Sequence, residues 1–324
     1  MPRLLTIDKA ERMLRSRDEL RDDGWSERGI TDAVRSGAVI RVRRGWYVER
    51  TEWNDLWNEG RHLLAVLAVQ RDSTYAAPAF CAESAAVIHA LPLFRVVPDA
   101  VHTLIGRTSH SRSRPGIARQ ALRVDAEDLT EVSGLRCTSV ERTVLDLARR
   151  LPHEAAVASA DAALRRVAVT DNRQDDGIAE EWRDGLLERA ARRSPGIRHA
   201  RRVIAFADGR AQLPGESVSR VHLARLGFRD VDLQTHVIGP DGEDYWTDFA
   251  FARTRAFGEF DGQGKYRDGA LHRGRSVEEV VLAEKRREDA IRGVTGWRMV
   301  RWDSRHIATA AHLGARLAAF GIRP

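Results

Sequence analysis

The spacing of apolar residues predicts three short helices and a hairpin at the start of the chain. Helical spacing covers 7–14 and 17–20, and a third helix at 27–36 is bracketed by a serine N-cap and a glycine C-cap. Apolar and basic residues then alternate over 39–44, and a glycine turn leads into 46–48. This order of elements is typical of a winged helix-turn-helix.

The rest of the chain alternates helices with strands. Amphipathic spacing predicts helices at 61–70, 82–90, 141–150, 154–166, 179–193 and 195–207. One strand is predicted at 101–105, and the polar stretch 170–177 is interpreted as a linker. The last third has the order α-β-β-β-α-β-α. Its helices are predicted at 216–226, at 277–293 and up to about 320, and its strands at 231–238, 245–252, 256–260 and 297–302.

Composition adds a partner class and a compartment. Apolar residues make up 43% and charged residues 31% of the 324 residues, as in globular proteins. The net charge of +6 favours a polyanionic partner. The longest apolar run, 63–69, is far shorter than the ~20 residues that span a bilayer, so we expect no membrane partner. Because the chain has only Cys81 and Cys137 and a charged start, we expect a cytoplasmic protein.

Basic residues on the third helix and on the hairpin predict contact with double-stranded DNA. The second helix of a helix-turn-helix enters the major groove, where side chains meet base edges or phosphates. The outward face of the 27–36 helix carries Arg28, Thr31 and Arg35. The hairpin adds Arg41, Arg43 and Arg44. The alternative is that these are solvated charges on a small interaction domain.

Two regions resemble a known family. The string from Ile30 through Arg44-Gly45-Trp46-Tyr47-Val48 is similar to the N-terminal domain of AbiEi-family antitoxins of type IV toxin–antitoxin systems. The strings at 83–86, 91–93 and 138–148 resemble the same actinobacterial proteins. The resemblance implies a DNA-binding autorepressor whose remaining domain counters a nucleotidyltransferase-like toxin.

Carboxylates near the C-terminus predict a metal site. Asp248 lies in one predicted strand and Glu259 and Asp261 in the next, where a period of two puts the last pair on one face. Glu216, on the preceding helix, is a fourth acid. Such carboxylates repel one another unless a cation lies between them, and oxygen ligands favour Mg²⁺ or Mn²⁺. The alternatives are a degenerate site that only binds a partner, or unrelated surface acids.

The order of elements and several strings in 214–305 resemble the PD-(D/E)xK restriction-endonuclease-like superfamily, and its Vsr-like members in particular. The strings are Asp248-Phe249, Gly258 to Gly262, Lys265-Tyr266, Ala283 to Asp289, Gly296-Trp297-Arg298 and Val300-Arg301-Trp302. The resemblance implies metal ligands at Asp248 and Glu259, a helix acid at Glu216, and metal-dependent cleavage of DNA.

One position departs from that superfamily. Asp261 stands where its lysine, two residues after the second acid, is normally found. Only three lysines occur in the chain, and two of them, Lys265 and Lys285, lie in this segment. A lysine is a compact point charge whose pKa shifts readily, so both are candidates for the missing catalytic role.

The predicted fold class is α/β and multidomain. We predict a winged helix-turn-helix at 1–55, an antitoxin-like α/β domain with a helical linker at 56–207, and a restriction-endonuclease-like α/β domain with a mixed sheet at 208–324. The predicted function is that of a DNA-binding regulator or antitoxin. The alternative is a Mg²⁺-dependent DNA endonuclease targeted by its winged helix.

Overall fold

The computed structural model shows a mixed α/β protein with several small sheets, as predicted. It describes residues 5–73, 77–105, 115–190, 195–262 and 277–324. The chain divides into two compact units, Pro2–Leu151 and Pro152–Pro324. The domain boundaries that we placed at 55/56 and 207/208 stay a prediction. Within the described ranges, no helix is long and apolar enough to cross a membrane.

The first unit begins with three helices and a three-stranded sheet. In chain order these are α1 (Ile7–Met13), β1 (Arg15–Ser16), α2 (Arg17–Asp22), α3 (Glu27–Ser36), β2 (Val39–Arg43) and β3 (Trp46–Glu49). The sheet order is β1-β3-β2, and both pairings are antiparallel. The three predicted helices and the hairpin are confirmed, whereas β1 was not predicted.

Local capping explains why α3 begins and ends where it does. The hydroxyl of Ser26 accepts a hydrogen bond from the backbone N–H of Gly29 at 3.0 Å. Gly37 ends the helix with a φ of +76°, which an L side chain rarely adopts. The inward face of α3 packs into a small core made of Leu20, Ile30, Val39 and Tyr47. The position of α3 is therefore fixed by its caps and its buried face.

The remainder of the first unit surrounds a buried helix. Its elements are α4 (Arg50–Asn54), α5 (Asn58–Arg71), α6 (Ala82–Ile88), β4 (Val101–Leu104), β5 (Ile117–Gln120), β6 (Leu129–Val132), β7 (Leu135–Thr138) and α7 (Val140–Arg150). Every residue of α6 is buried, and α6 packs against α5, α7 and β4. Strands β4 and β5 are parallel, and β6 and β7 form an antiparallel pair.

The second unit joins a group of helices to a four-stranded sheet. Its elements are α8 (His153–Ala168), β8 (Val169–Thr170), β9 (Arg173–Gln174), α9 (Asp176–Arg189), α10 (Ile197–Phe206), α11 (Pro214–Arg225), β10 (Asp232–Ile238), β11 (Asp244–Phe251), β12 (Ala256–Asp261), α12 (Val277–Thr295), β13 (Arg298–Asp303) and α13 (Ala310–Ala318). Helix α11 packs against α8, where the buried Asp161 carboxylate lies 2.6 Å from Nη1 of Arg220. This ion pair holds the helical part of the unit to the part that carries the sheet.

The linker predicted at 170–177 is wrong. Strands β8 and β9 form a hairpin there, and α9 begins at Asp176. The two turn residues, Asp171 and Asn172, have φ values of +48° and +62°. Aspartate and asparagine tolerate this left-handed conformation, which a two-residue hairpin turn requires.

The sheet of the second unit is mixed, as predicted. Its order is β10-β11-β12-β13, with β12 and β13 parallel and the other pairings antiparallel. Ile291 of α12 packs on one face, against Ala250 and Phe257. On the sheet, the rings of Phe249 and Trp302 lie 5.1 Å apart. Because β12 and β13 are parallel, their carboxyl ends lie together, which puts residues 259–261 beside 301–303.

Candidate functional site

The outward face of α3 carries the residues predicted to contact DNA. Arg28, Thr31 and Arg35 are all exposed, and the side chains of the two arginines keep 93% and 74% of their surface. Asp32 lies between the two arginines, 3.8 Å from Nε of Arg28 and 2.9 Å from Nη1 of Arg35. On the opposite side, Ile30 is buried in the core. The structure therefore brings these three predicted residues together on one accessible surface, which we call the α3 face.

The three predicted arginines of the hairpin have different surroundings. Arg41 and Arg44 are exposed. Arg43 keeps only 20% of its side-chain surface, because its Nε lies 3.0 Å from a carboxylate oxygen of Asp72. Its Nη1 also donates to the backbone carbonyl of Pro115 at 3.3 Å. Arg43 thus holds the hairpin within the first unit, and its role as a DNA contact stays a prediction.

Glu259 is buried in the second unit, and arginines neutralise it. It keeps 2% of its surface, and its two carboxylate oxygens lie 2.7 Å from Nη2 of Arg287 and 2.8 Å from Nη2 of Arg301. Burial lowers the pKa of Arg287, but the charge of Glu259, its hydrogen bond and the charge of Glu284 together more than offset burial, and the pKa is raised. Glu259 therefore lies between two guanidinium groups.

Arg301 also forms ion pairs with carboxylates of β12 and α12. Asp261, which shares a face of β12 with Glu259 as predicted, lies 3.2 Å from its Nη1. From α12, Glu284 lies 2.6 Å from its Nη2 and Glu288 lies 3.4 Å from its Nε. Burial lowers the pKa of Arg301, and these carboxylates together raise it well above its ordinary value. We call this set of Glu259, Asp261, Glu284, Arg287, Glu288 and Arg301 the arginine–carboxylate cluster.

Asp248 and Glu216 are bridged by the side chain of Gln234, and Glu259 is not part of this bridge. Nε2 of Gln234 lies 3.5 Å from carboxylate oxygens of both residues. Asp248 also accepts the backbone N–H of Phe260 at 2.8 Å, and Glu216 accepts that of Gln212 at 2.8 Å. Gln234 has a φ of +48°, and the pairing of β10 with β11 is interrupted at this residue. The strained residue thus directs its amide towards two acids.

Of the two predicted lysines, the structure describes one. Lys265 lies outside the described residues. Lys285 lies on α12 and is exposed. Their predicted roles stay predictions.

This donor set does not fit a divalent cation. A metal site needs several oxygen ligands that are not committed to other cations. Arginines of the protein occupy Glu259 and Asp261, and Asp248 accepts a backbone N–H. In the part of the chain that the structure describes, no three His, Cys, Asp or Glu residues are grouped as metal ligands. The Mg²⁺ or Mn²⁺ site at Asp248, Glu259 and Asp261 stays a prediction, and we derive no catalytic step from it.

Sequence reasoning missed the residues that define both acidic groups. Gln234, Arg287 and Arg301 were not candidates, because neither a strand glutamine nor an arginine in an arginine-rich chain stands out. The available signal was the alternation of acids and bases in α12, where Glu284, Arg287 and Glu288 share one face.

Comparison with known proteins indicates the class of protein to which the chain belongs. Residues 79–193 match the family model of the AbiEi antitoxin C-terminal domain, which indicates an antitoxin of a toxin–antitoxin system. The chain is also 30% identical over 228 residues to the uncharacterized protein Rv2248 of Mycobacterium tuberculosis strain H37Rv. The match covers 70% of this chain and 75% of that protein, and the uncharacterized protein MT2308 of strain CDC 1551 matches equally. The chain belongs to the family of these mycobacterial proteins.

Proposed function

We propose that the protein is a DNA-binding regulator of the antitoxin class, which reads double-stranded DNA with a winged helix at its N-terminus. The observation that carries this proposal is the α3 face, where Arg28, Thr31 and Arg35 are exposed on a helix fixed from behind by Ile30. A groove-binding helix needs this combination of a rigid buried side and an accessible polar side.

The hairpin that follows α3 supports the same function. Arg41 and Arg44 are exposed at and near its turn, where two positive charges can meet phosphates beside the groove that α3 enters. The arginines of α3 can also reach base edges, since guanidinium groups pair with guanine in the major groove. We therefore assign sequence reading to the α3 face and backbone binding to the hairpin.

The first experiment replaces the α3 face. We expect Arg28→Ala together with Arg35→Ala to weaken binding to a duplex from the protein's own promoter region. Binding to a duplex of random sequence should weaken less, because the α3 face is assigned to base edges rather than to phosphates. Fluorescence polarisation over a series of salt concentrations measures both quantities.

The matched control removes two positive charges from α1. Lys9 and Arg12 are exposed there, and Lys9→Ala with Arg12→Ala changes the net charge by the same amount. Its affinity for the duplex should stay close to that of the unchanged protein. Equal losses in the two double variants would mean that only net charge matters, and the α3 face would then not be a reader.

We further propose that the AbiEi antitoxin domain at 79–193 counters a toxin, which the resemblance implies is nucleotidyltransferase-like. Co-expression of the protein with the toxin from a neighbouring gene tests this. Growth should be restored by the full chain and by the α3-face variant alike, because the proposed toxin-countering segment lies outside α3. If growth returned only with intact DNA binding, the protection would act through repression instead.

A further inference from the structure

A small cavity opens at one end of the sheet in the second unit. Its volume is about 140 Å³. The rings of Phe228 and Phe251 pack edge to face beside it, with centroids 5.5 Å apart. The other lining residues are Gly227, Arg229, Asp230, Arg253, Thr254, Arg323 and Pro324. We call this the arginine pocket.

Basic side chains outnumber acidic ones among the residues that line this pocket. Arg229, Arg253 and Arg323 are exposed, and Asp230 is the one acidic side chain among the lining residues. None of the three arginines has a hydrogen bond or ion pair with any residue in the described ranges. In the same unit, by contrast, Arg220 and Arg301 are each held by carboxylates. Three arginines that line one pocket and have no partner among the described residues form a site for an anion.

The walls of the pocket are fixed by packing and by backbone hydrogen bonds. Gly227, with a φ of +93°, ends α11 and sets the direction of the chain towards Arg229. On the other wall, the hydroxyl of Thr254 donates to the carbonyl of Phe251 at 3.3 Å. Ile322, which precedes Arg323, is buried at 1% exposure. The three guanidinium groups therefore extend from anchored positions rather than from long loops.

We propose that the arginine pocket binds a phosphate ester, either of a nucleotide or of a nucleic-acid backbone. Guanidinium groups bind phosphate through paired N–H donors, and several of them can share one phosphate. The partly exposed ring of Phe228, which packs on the buried Phe251, supplies an apolar wall of the kind on which a sugar or base can pack. The proposal goes beyond the function proposed above, because the pocket lies in the unit of residues 152–324 and α3 lies in the other.

The first arm of the test uses inorganic phosphate. Thermal unfolding of the full chain is compared in sodium phosphate and in sodium chloride of equal ionic strength. Phosphate should raise the Tm of the unchanged protein, and Arg253→Gln with Arg323→Gln should lose this increment. The control, Arg198→Gln with Arg201→Gln, removes two exposed charges from α10 and should keep it. Equal Tm values in chloride establish that the pocket variant is folded.

The second arm identifies the source of the phosphate with a fluorescein-labelled duplex of random sequence. If the ligand is a nucleic-acid backbone, the pocket variant should also bind the duplex more weakly than the α10 control, with a salt slope shallower by about 2. If duplex binding equals that of the control while the phosphate increment is lost, the ligand is a nucleotide or free phosphate. A pocket variant that matches the α10 control in both arms overturns the proposal. Because the phosphate arm does not involve α3, failure of the DNA-reading proposal leaves it intact.

Discussion

At the scale of single residues, Arg43 and Arg44 show how position decides the role of a charge. They are adjacent in the chain, yet Arg44 is exposed and Arg43 is bound to Asp72 and to the carbonyl of Pro115. The indole N–H of Trp46 donates to the same Asp72 carboxylate at 2.7 Å. Arg43 therefore belongs to the packing of the hairpin, and Arg44 belongs to its accessible surface.

Single substitutions should separate these two roles. We expect Arg43→Ala to lower the free energy of unfolding by about 1 kcal/mol, because it leaves the partly buried Asp72 with one partner fewer. Its affinity for duplex DNA should change less than twofold. Arg44→Ala should do the reverse, with unchanged stability and weaker duplex binding. Urea denaturation and fluorescence polarisation measure the two effects, and a loss of DNA affinity in the folded Arg43 variant would return Arg43 to the DNA interface.

The sequence could predict that this hairpin is basic, but not which arginine packs against the fold and which is exposed. Alternation over 39–44 defines a strand with arginines, and a local pattern contains nothing about Asp72, which lies 29 residues after Arg43. Likewise, a helical period placed Arg28 and Arg35 on one face correctly, since that geometry is local. Ion pairs between residues that are distant in the chain depend on how the elements pack, and a local sequence pattern does not show that packing.

At the scale of elements, the arginine–carboxylate cluster joins β12, β13 and α12. Glu259 comes from β12, Arg301 from the parallel strand β13, and Arg287 from the helix packed on the sheet. The carboxylates of a metal site repel one another when the metal is absent, so neutralising one of them stabilises the metal-free protein. Here each carboxylate of the cluster has a cationic partner, so the same change should have the opposite sign.

The sign of this effect can be measured with Glu259→Gln. We expect the variant to lose about 2–4 kcal/mol of stability, since it leaves two half-buried guanidinium groups without their shared carboxylate. The control, Glu278→Gln, makes the same change at an exposed position of α12 and should shift stability by less than about 0.5 kcal/mol. Urea denaturation measures both variants. A more stable Glu259→Gln protein, together with a Tm that rises with Mn²⁺ only in the unchanged chain, would favour the metal site.

Element prediction succeeded where periodicity was long and failed where it was short. Helix α3 was predicted at its observed bounds, and β12 ends one residue beyond its predicted end, because caps and alternation are local signals. The hairpin of β8 and β9 has two residues in each strand, which is too short for any period to appear. The parallel strand β5 was missed because its partner in β4 lies 16 residues earlier in the chain, and a local pattern does not show such a pairing.

At the scale of the whole molecule, buried histidines couple stability to pH. Nε2 of His62 lies 2.9 Å from the hydroxyl of Ser84, and burial lowers the pKa of His62 to about 4. The other charged groups that act on it are His102, which also lowers its pKa, and Asp99, which raises it. Burial lowers the pKa of His102 as well, although the neighbouring Glu83 opposes this. His62 is therefore neutral at pH 7 in the folded unit that carries α3, and burial disfavours the charged form of His102.

Acidification should consequently destabilise that unit. Between the ordinary histidine pKa of about 6.5 and the folded value of about 4, the unfolded chain binds a proton that the folded chain does not. This contribution to stability is thus complete above pH 6.5 and is lost as the pH falls towards 4. From pH 7 to pH 5 we expect His62 to account for a loss of about 2 kcal/mol. The measurement is hydrogen exchange of the α5 amides in urea at pH 7 and at pH 5. The His312→Gln control should show the full loss of stability. His62→Gln should show a smaller loss, because glutamine cannot titrate. Equal losses in the two variants would contradict a neutral, buried His62.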